Sequence, residues 1–278
     1  MARHNPALKA ICMALLTAAM LPGFSACAGA PEAPKEYGVF LDADVTDLER
    51  MGEYKTVVLD AQYFTQEDIQ QLKNAGCQVY SYLNIGSIES FRDYYPEYED
   101  LALGDYENWE EEKWVDVSAE KWQMFMDEKE EELLAKGIDG FFVDNCDVYY
   151  CYPREEIYSG VEAILRGAKG HSCSVIINGG DEFVRRYLEK GGNPAEIADG
   201  INQEGVFTAI DFAEGTFGYA KEEDREYFSE YLALAAENGL QTYVIEYATG
   251  EKEKEQAIAY AKQQGYIVYV SDSLNLDE

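Results

Sequence analysis

Residues 139–147 read DGFFVDNCD. Phe141, Phe142 and Val143 form a short apolar run after the breaker Gly140, the pattern of a strand buried on both faces. Asp144, Asn145 and Asp147 follow at once. A carboxylate at the end of a buried strand is costly to desolvate unless something there pairs it or uses it. The same juxtaposition of apolar run and acid recurs along the chain, and its recurrence decides the fold.

Seven further runs have strand character: YGVFLD (37–42), TVVLDA (56–61), QVYSYLNIG (78–86), SVIIN (174–178), GINQEG (200–205), QTYVIEY (241–247) and YIVYVS (266–271). Helical patterns lie between most of them. TQEDIQQLKNAG (65–76) opens with a Thr N-cap and closes with Gly, and the stretches 119–137, 222–239 and 253–265 also close with Gly. Helix, glycine and strand in steady alternation predict an α/β fold, a single (β/α)8 TIM barrel over residues 37–278. An open doubly wound sheet is the alternative, and the absence of a glycine-rich phosphate loop counts against its nucleotide-binding form. Residues 87–118, rich in Tyr, Asp and Glu, form a long insertion after the third strand. In a barrel such an insertion lies over the face where the strands end.

The N-terminus reads as a lipoprotein-type signal peptide over residues 1–26, with basic Arg3, His4 and Lys9 ahead of an apolar stretch too short to span a bilayer. FSAC (24–27) makes Cys27 the expected lipidation site; Phe24 stands where such boxes usually carry Leu, so an ordinary cleavage site is the alternative. Residues 27–36 are expected to be a tether. These features predict export, with a lipid anchor on the outer face of a bacterial membrane as the only membrane contact, or otherwise secretion.

Fifty-four acidic against 22 basic residues give a net charge of −32, which disfavours nucleic acid and anionic lipid and favours cationic ligands. Beyond Cys12 and Cys27, the cysteines are Cys77, Cys146, Cys151 and Cys173. A Cys146–Cys151 bridge and free thiols are both open readings. With no CxxC pair and His171 the one histidine of the mature chain, no metal centre and no cofactor are expected. His171 itself reads as an exposed turn residue before strand five.

In a barrel all eight strand ends meet on one face. The predicted strands deliver Asp42, Asp60, Glu89, Asp144, Asp147, Asn178, Glu204, Glu246 and Asp272 there. Carboxylates gathered in one bowl raise one another's pKa and invite a cation or a shared proton. Paired carboxylates are what glycoside hydrolysis needs. An oxygen-lined calcium or magnesium site from Asp42, Asp60, Asp144 and Asp147 would be another use of the same acids. Tyr82, Trp114, Tyr149, Tyr150, Tyr152, Phe207 and Tyr247, near the strand ends, offer faces on which sugar rings stack.

YLNIGSIESFRDYY (82–95), WVDVSAEKWQMFM (114–126), KGIDGFFVDNCD (136–147) and INQEGVF (201–207) resemble, in order and spacing, glycoside hydrolase family 114, the endo-α-1,4-polygalactosaminidase family. The resemblance implies a (β/α)8 barrel and an endo-acting, retaining glycosidase of α-1,4-linked galactosamine polymer. It implies Asp144 as nucleophile and Glu204 as acid/base, with Asp60, Asp147 and Asn178 lining the sugar site. The strand-end reading adds Asp42, Tyr82 and Glu246 as expected substrate contacts. A partly deacetylated galactosamine polymer is cationic and suits an acidic bowl. The chain departs from the family pattern at GSIES (86–90), where Ser87 follows Gly86 in place of the family's Gly-Glu and the first acid is Glu89, and at Cys146, between Asn145 and Asp147. A non-catalytic polysaccharide-binding lipoprotein on the same barrel is the alternative function. The oligomeric state is not legible.

Overall fold

In the computed structural model, which describes residues 33–277, the eight apolar runs become eight parallel strands. They are β1 (Lys35–Phe40), β2 (Tyr54–Leu59), β3 (Gln78–Asn84), β4 (Gly140–Asp144), β5 (Ser174–Asn178), β6 (Gly200–Glu204), β7 (Gln241–Tyr247) and β8 (Ile267–Ser271). Each pairs in parallel with its sequence neighbours, from β1 through to β8. Cα atoms of β1 and β8 approach within 8 Å, so the sheet curls into a nearly closed barrel. Helices α1 (Gln66–Ala75), α2 (Glu120–Ala135), α3 (Glu155–Gly170), α4 (Asp181–Glu189), α5 (Glu222–Glu237) and α6 (Glu251–Gln264) fill the connections after β2 to β7. The signal peptide, Cys27 and the tether up to residue 32 lie outside the described residues. Lys35 and Glu36, placed in the tether by the sequence, already belong to β1, where Lys35 pairs in register with Tyr54.

Side chains along each strand alternate between two packed layers. Tyr37, Val39, Val58, Tyr80, Tyr82, Phe142, Ile176, Ile245 and Tyr247 fill the barrel interior. Their strand neighbours Phe40, Val57, Leu59, Val79, Phe141, Val143, Val175 and Ile177 pack outward against the helices. Phe142 therefore points in while Phe141 and Val143 point out, which is why the run could be apolar throughout. The helix boundaries follow local rules. Thr65 and Asp68 form a capping box at the start of α1, and Gly76 closes it at φ 100°. Gly265 closes α6 in the same left-handed conformation.

Two small sheets sit on the strand-end face, neither of them legible in the sequence. The insertion after β3 folds as three antiparallel strands, with Glu112–Val115 between Ser87–Glu89 and Ala102–Asp105. The connection after β6 forms a hairpin, Thr208–Asp211 with Thr216–Tyr219. These strands are three or four residues long, too short to show a period of two. Cys77, Cys146, Cys151 and Cys173 are all free thiols, so the Cys146–Cys151 bridge is not formed. Among the described residues no helix is long and apolar enough to cross a membrane.

Where the loops after β3 and β4 cross, a Cβ on Gly86 would lie 1.8 Å from the carbonyl oxygen of Asn145. That is backbone, so no side-chain rotation relieves it. Gly86→Ala is expected to cost about 3 kcal/mol, a fall in melting temperature of roughly 6–12 °C for a domain of this size. A melting curve within a degree or two of wild type would show that the crossing is not rigid.

Candidate active site

Parallel register places Asn84 opposite Asp144, Asn178 opposite Asn202, and Ile245 opposite Glu204. Asp144 and Asn178, the last residues of β4 and β5, therefore lie level at the barrel mouth, and Glu204, the last of β6, stands two residues beyond the partner of Asn178. The Asn178 Nδ2 donates to Asp144 Oδ1 at 2.9 Å and to Glu204 Oε1 at 2.8 Å. A single amide thus gives one hydrogen to each carboxylate. With its two N–H directions about 120° apart, the nearest carboxylate oxygens stand roughly 5 Å from each other.

Each carboxylate has further donors. The Tyr82 hydroxyl donates to Asp144 Oδ2 at 3.1 Å and the Asn145 backbone N–H to Oδ1 at 3.0 Å. The Tyr247 hydroxyl donates to Glu204 Oε2 at 2.5 Å. Below them, Asn202 Nδ2 donates to Asn178 Oδ1 at 2.7 Å, and the Tyr37 hydroxyl to Asn202 Oδ1 at 3.2 Å. Because its oxygen is taken from below, the Asn178 amide can present only its NH2 to the acids. Its orientation is set by the barrel interior.

Burial, and then the charge of Glu204, push the Asp144 carboxyl up to about 8, against the opposing hydrogen bond from Asn178. Burial thus favours the protonated form of Asp144. Burial raises the Tyr82 and Tyr247 hydroxyls well above their usual value, and the adjacent carboxylates add to it. Both tyrosines remain donors throughout the working range. Asp147 accepts from the Gly180 N–H at 3.1 Å, and burial with the charge of Asp181 raises it to about 6. It borders an open cavity of about 460 Å3 whose walls include Asp105, Tyr106, Trp114, Tyr150 and Tyr152.

The remaining expected contacts are used differently. Asp60 is buried, and its Oδ2 takes Arg92 Nη1 at 2.7 Å while Glu89 grips the same guanidinium through Nε at 2.6 Å and Nη2 at 3.1 Å. Glu246 is fully buried and accepts from the backbone N–H groups of Phe207 and Thr208 and from the Thr208 hydroxyl, at 2.9, 2.8 and 2.6 Å. It anchors the loop that follows Glu204. Asp42 is exposed beyond β1 and touches neither member of the pair. Asp42, Asp60, Asp144 and Asp147 thus do not converge on a cation: among the described residues, the one group of three or more metal-ligating side chains lies elsewhere, on α2 and His171. His171 itself is not the exposed turn residue the sequence suggests, since its side chain is only 22 % exposed and faces Glu130. Of the predicted aromatics, Tyr82 and Tyr247 bond the pair, and Tyr149 packs in the core against Tyr158 and Phe183.

Several functional partners escaped sequence reasoning. Asn202 and Tyr37 are among them. So is a network in which Asn145 donates to Asn84 Oδ1 at 3.0 Å and to Ser87 Oγ at 3.2 Å, while Ser87 donates to Glu112 at 2.6 Å. Asn145 sits at φ 65°, a left-handed conformation that Asn tolerates better than most residues. Its position directly after the strand-ending acid was the available signal.

A barrel with two carboxylates, at the ends of β4 and β6, held across one amide from β5 suits two-carboxylate glycoside hydrolysis. The model of the glycoside-hydrolase family GH114 matches residues 24–278, and the chain belongs to that family; it is a glycosidase. Among solved structures, it is similar to the glycoside hydrolase domain of PelA from Pseudomonas aeruginosa, with TM-score 0.74 and 20% identity over 88% of this chain and 97% of that one. It is also similar to Aspergillus fumigatus Ega3, solved in complex with galactosamine, with TM-score 0.69 and 16% identity over 92% of this chain and 97% of that one. A more distant likeness is an α-galactosidase of Thermus thermophilus, with TM-score 0.53 and 10% identity over 85% of this chain and 58% of that one. Comparison with curated proteins returned no match.

The raised Asp144 pKa has a stability consequence. Between its ordinary value of 3.8 and about 8, the folded state holds a proton that the unfolded state has released. Stability from this group is therefore full below pH 4 and is lost as pH rises towards 8. Asp144→Asn removes the dependence. Its melting temperature is expected to climb relative to wild type between pH 5 and pH 8, and thermal melts at both values test this. A difference that stays flat across the interval would place the proton elsewhere.

Proposed function

We propose that this chain is an exported, endo-acting and retaining glycosidase of α-1,4-linked galactosamine-type polysaccharide, with Asp144 as nucleophile and Glu204 as acid/base. The observation that carries the reading is the Asn178 amide shared by the two carboxylates. A spacing of roughly 5 Å suits direct attack on the sugar, whereas inversion needs about 6.5–9.5 Å to admit a water between the acids. In the first step Glu204 gives its proton to the leaving glycosidic oxygen as Asp144 bonds the anomeric carbon. In the second, Glu204 takes a proton from water, and the resulting hydroxide displaces Asp144.

The mechanism needs one proton on the pair, carried by Glu204. Burial works against the ionised form of Asp144 that attack requires. An ammonium within 4–6 Å of a carboxyl lowers its pKa by about 1–3 units. A cationic sugar bound beside Asp144 would therefore move the pair into its reactive state, and this is a physical reason for a glucosamine-type or galactosamine-type amine over a neutral acetamide. Support for the substrate class comes from family membership, from the galactosamine bound in Ega3 and from the net charge of −32. Exposed Tyr63, Phe91, Trp109, Tyr150 and Phe212 all lie on connections that follow strand ends, as stacking positions along a chain of sugars would. This supports action within a polymer. Export rests on the N-terminal sequence, outside the described residues.

Two experiments test the proposal. Wild type and Glu204→Gln are incubated with α-1,4-galactosamine polymers of graded acetylation, and products are read by mass. Oligosaccharides are expected from wild type, with a loss of at least about 10³-fold in the variant. Polymer binding without products from wild type would favour the non-catalytic alternative. NMR of the first-formed product should show the α-anomer; the β-anomer would exclude retention.

A further inference from the structure

On the outer wall of the barrel, away from the bowl, Asp127 and Glu130 stand one helical turn apart on α2. His171, at the C-terminal end of α3, reaches across to them. Its Nε2 lies 3.2 Å from Glu130 Oε2 and 3.5 Å from Asp127 Oδ1. One donor atom from each of the three residues falls within 4.8 Å of the others.

The local geometry is unusual for an ion pair. Glu130 is 1% exposed, yet its Oε2 has no hydrogen-bond partner, and neither has His171 Nε2. The two atoms are close without forming a hydrogen bond. An unpaired buried carboxylate oxygen is expensive to keep. Donor atoms that crowd together without bonding one another are what a shared metal ion requires. In a tetrahedral zinc site, with bonds of about 2.0–2.2 Å, neighbouring ligand atoms stand roughly 3.3–3.5 Å apart. The separation from His171 to Asp127, 3.5 Å, falls in that range, and the one to Glu130, 3.2 Å, lies just below it. A cavity of about 140 Å3, lined by Gln123, Met126, Ala163, Ile164 and Gly167 along with the two acids, adjoins Glu130 and leaves room for a water as fourth ligand.

We propose that Asp127, Glu130 and His171 bind one divalent transition-metal ion, zinc by the chemistry of the donor set, as a clasp between α2 and α3. Nitrogen with two carboxylate oxygens suits zinc better than calcium or magnesium, which take oxygen ligands. The spacing 127, 130 and 171 matches no short zinc motif, so the sequence did not disclose it.

The full chain, stripped with chelator, is titrated with zinc chloride at neutral pH by calorimetry and by thermal melting. One equivalent is expected to bind and, at a hundredfold excess over Kd, to raise the melting temperature by roughly 5 °C or more. His171→Gln, a change at a partly exposed residue, should fold and lose both effects. Cobalt should give the intense visible d–d bands of a four-coordinate site in wild type and not in the variant. Failure of zinc to bind or stabilise wild type, or binding unchanged in His171→Gln, overturns the proposal; the second result would direct the metal to the acidic bowl.

Discussion

One amide governs the active face. Asn178 holds Asp144 with one hydrogen and Glu204 with the other, and so converts two mutually repelling carboxylates into a spaced pair. Neither acid could keep that position alone. Each ends its own strand, and the strands are joined by backbone bonds that set height but not side-chain direction. Direction comes from Asn178, and the direction of Asn178 comes from Asn202 and Tyr37 beneath it. This column runs from the aromatic barrel interior to the reactive oxygens. The tyrosine-rich interior, odd for a barrel core usually filled by Val, Ile and Leu, follows from it: Tyr37, Tyr82 and Tyr247 supply apolar bulk below and a hydroxyl above.

The acids around the pair are mostly engaged in holding structure. Asp60 and Glu89 share the buried Arg92 guanidinium, and Glu246 spends both oxygens on the loop after Glu204. Breaking such a buried pair by removing one partner costs about 3–5 kcal/mol, because the charge left behind is unpaired. These groups therefore fix the walls of the bowl. Asp144 and Glu204, joined through Asn178, form one small site within a surface that is acidic throughout. A ligand drawn in by the net charge meets its specific contacts only there.

The barrel was legible because its evidence is periodic and repeated. Eight apolar runs, each ended by an acid or amide and separated by helices closing on glycine, leave few other folds. Asp144 and Glu204 were legible for the same reason, as strand-ending acids that also fit a family pattern. The division between the acids paired through Asn178 and the acids spent on structure was not. Asp60 follows an apolar strand as Asp144 does, and only its distance from Arg92, thirty-two residues on, tells them apart. Asn202 was hidden inside a strand, where a buried polar residue looks like an interruption. The hairpin after β6 and the small sheet after β3 were hidden by brevity.

The GSIES stretch, which departs from the family pattern, takes its meaning from the same logic. Ser87 occupies a position where its hydroxyl accepts from Asn84 and Asn145 and donates to Glu112. Glu112, raised by burial, sits in the central strand of the insertion. The serine thus ties the insertion to the loop that carries Asn145, whose N–H in turn bonds Asp144. An acid at that point would meet Glu112 as a like charge within hydrogen-bond range, and one of the two would have to keep a proton. A hydroxyl, able to accept and donate at once, joins the two loops without that conflict. Ser87 and Glu112 thus act together in the shell that supports Asp144 and not in the pair itself.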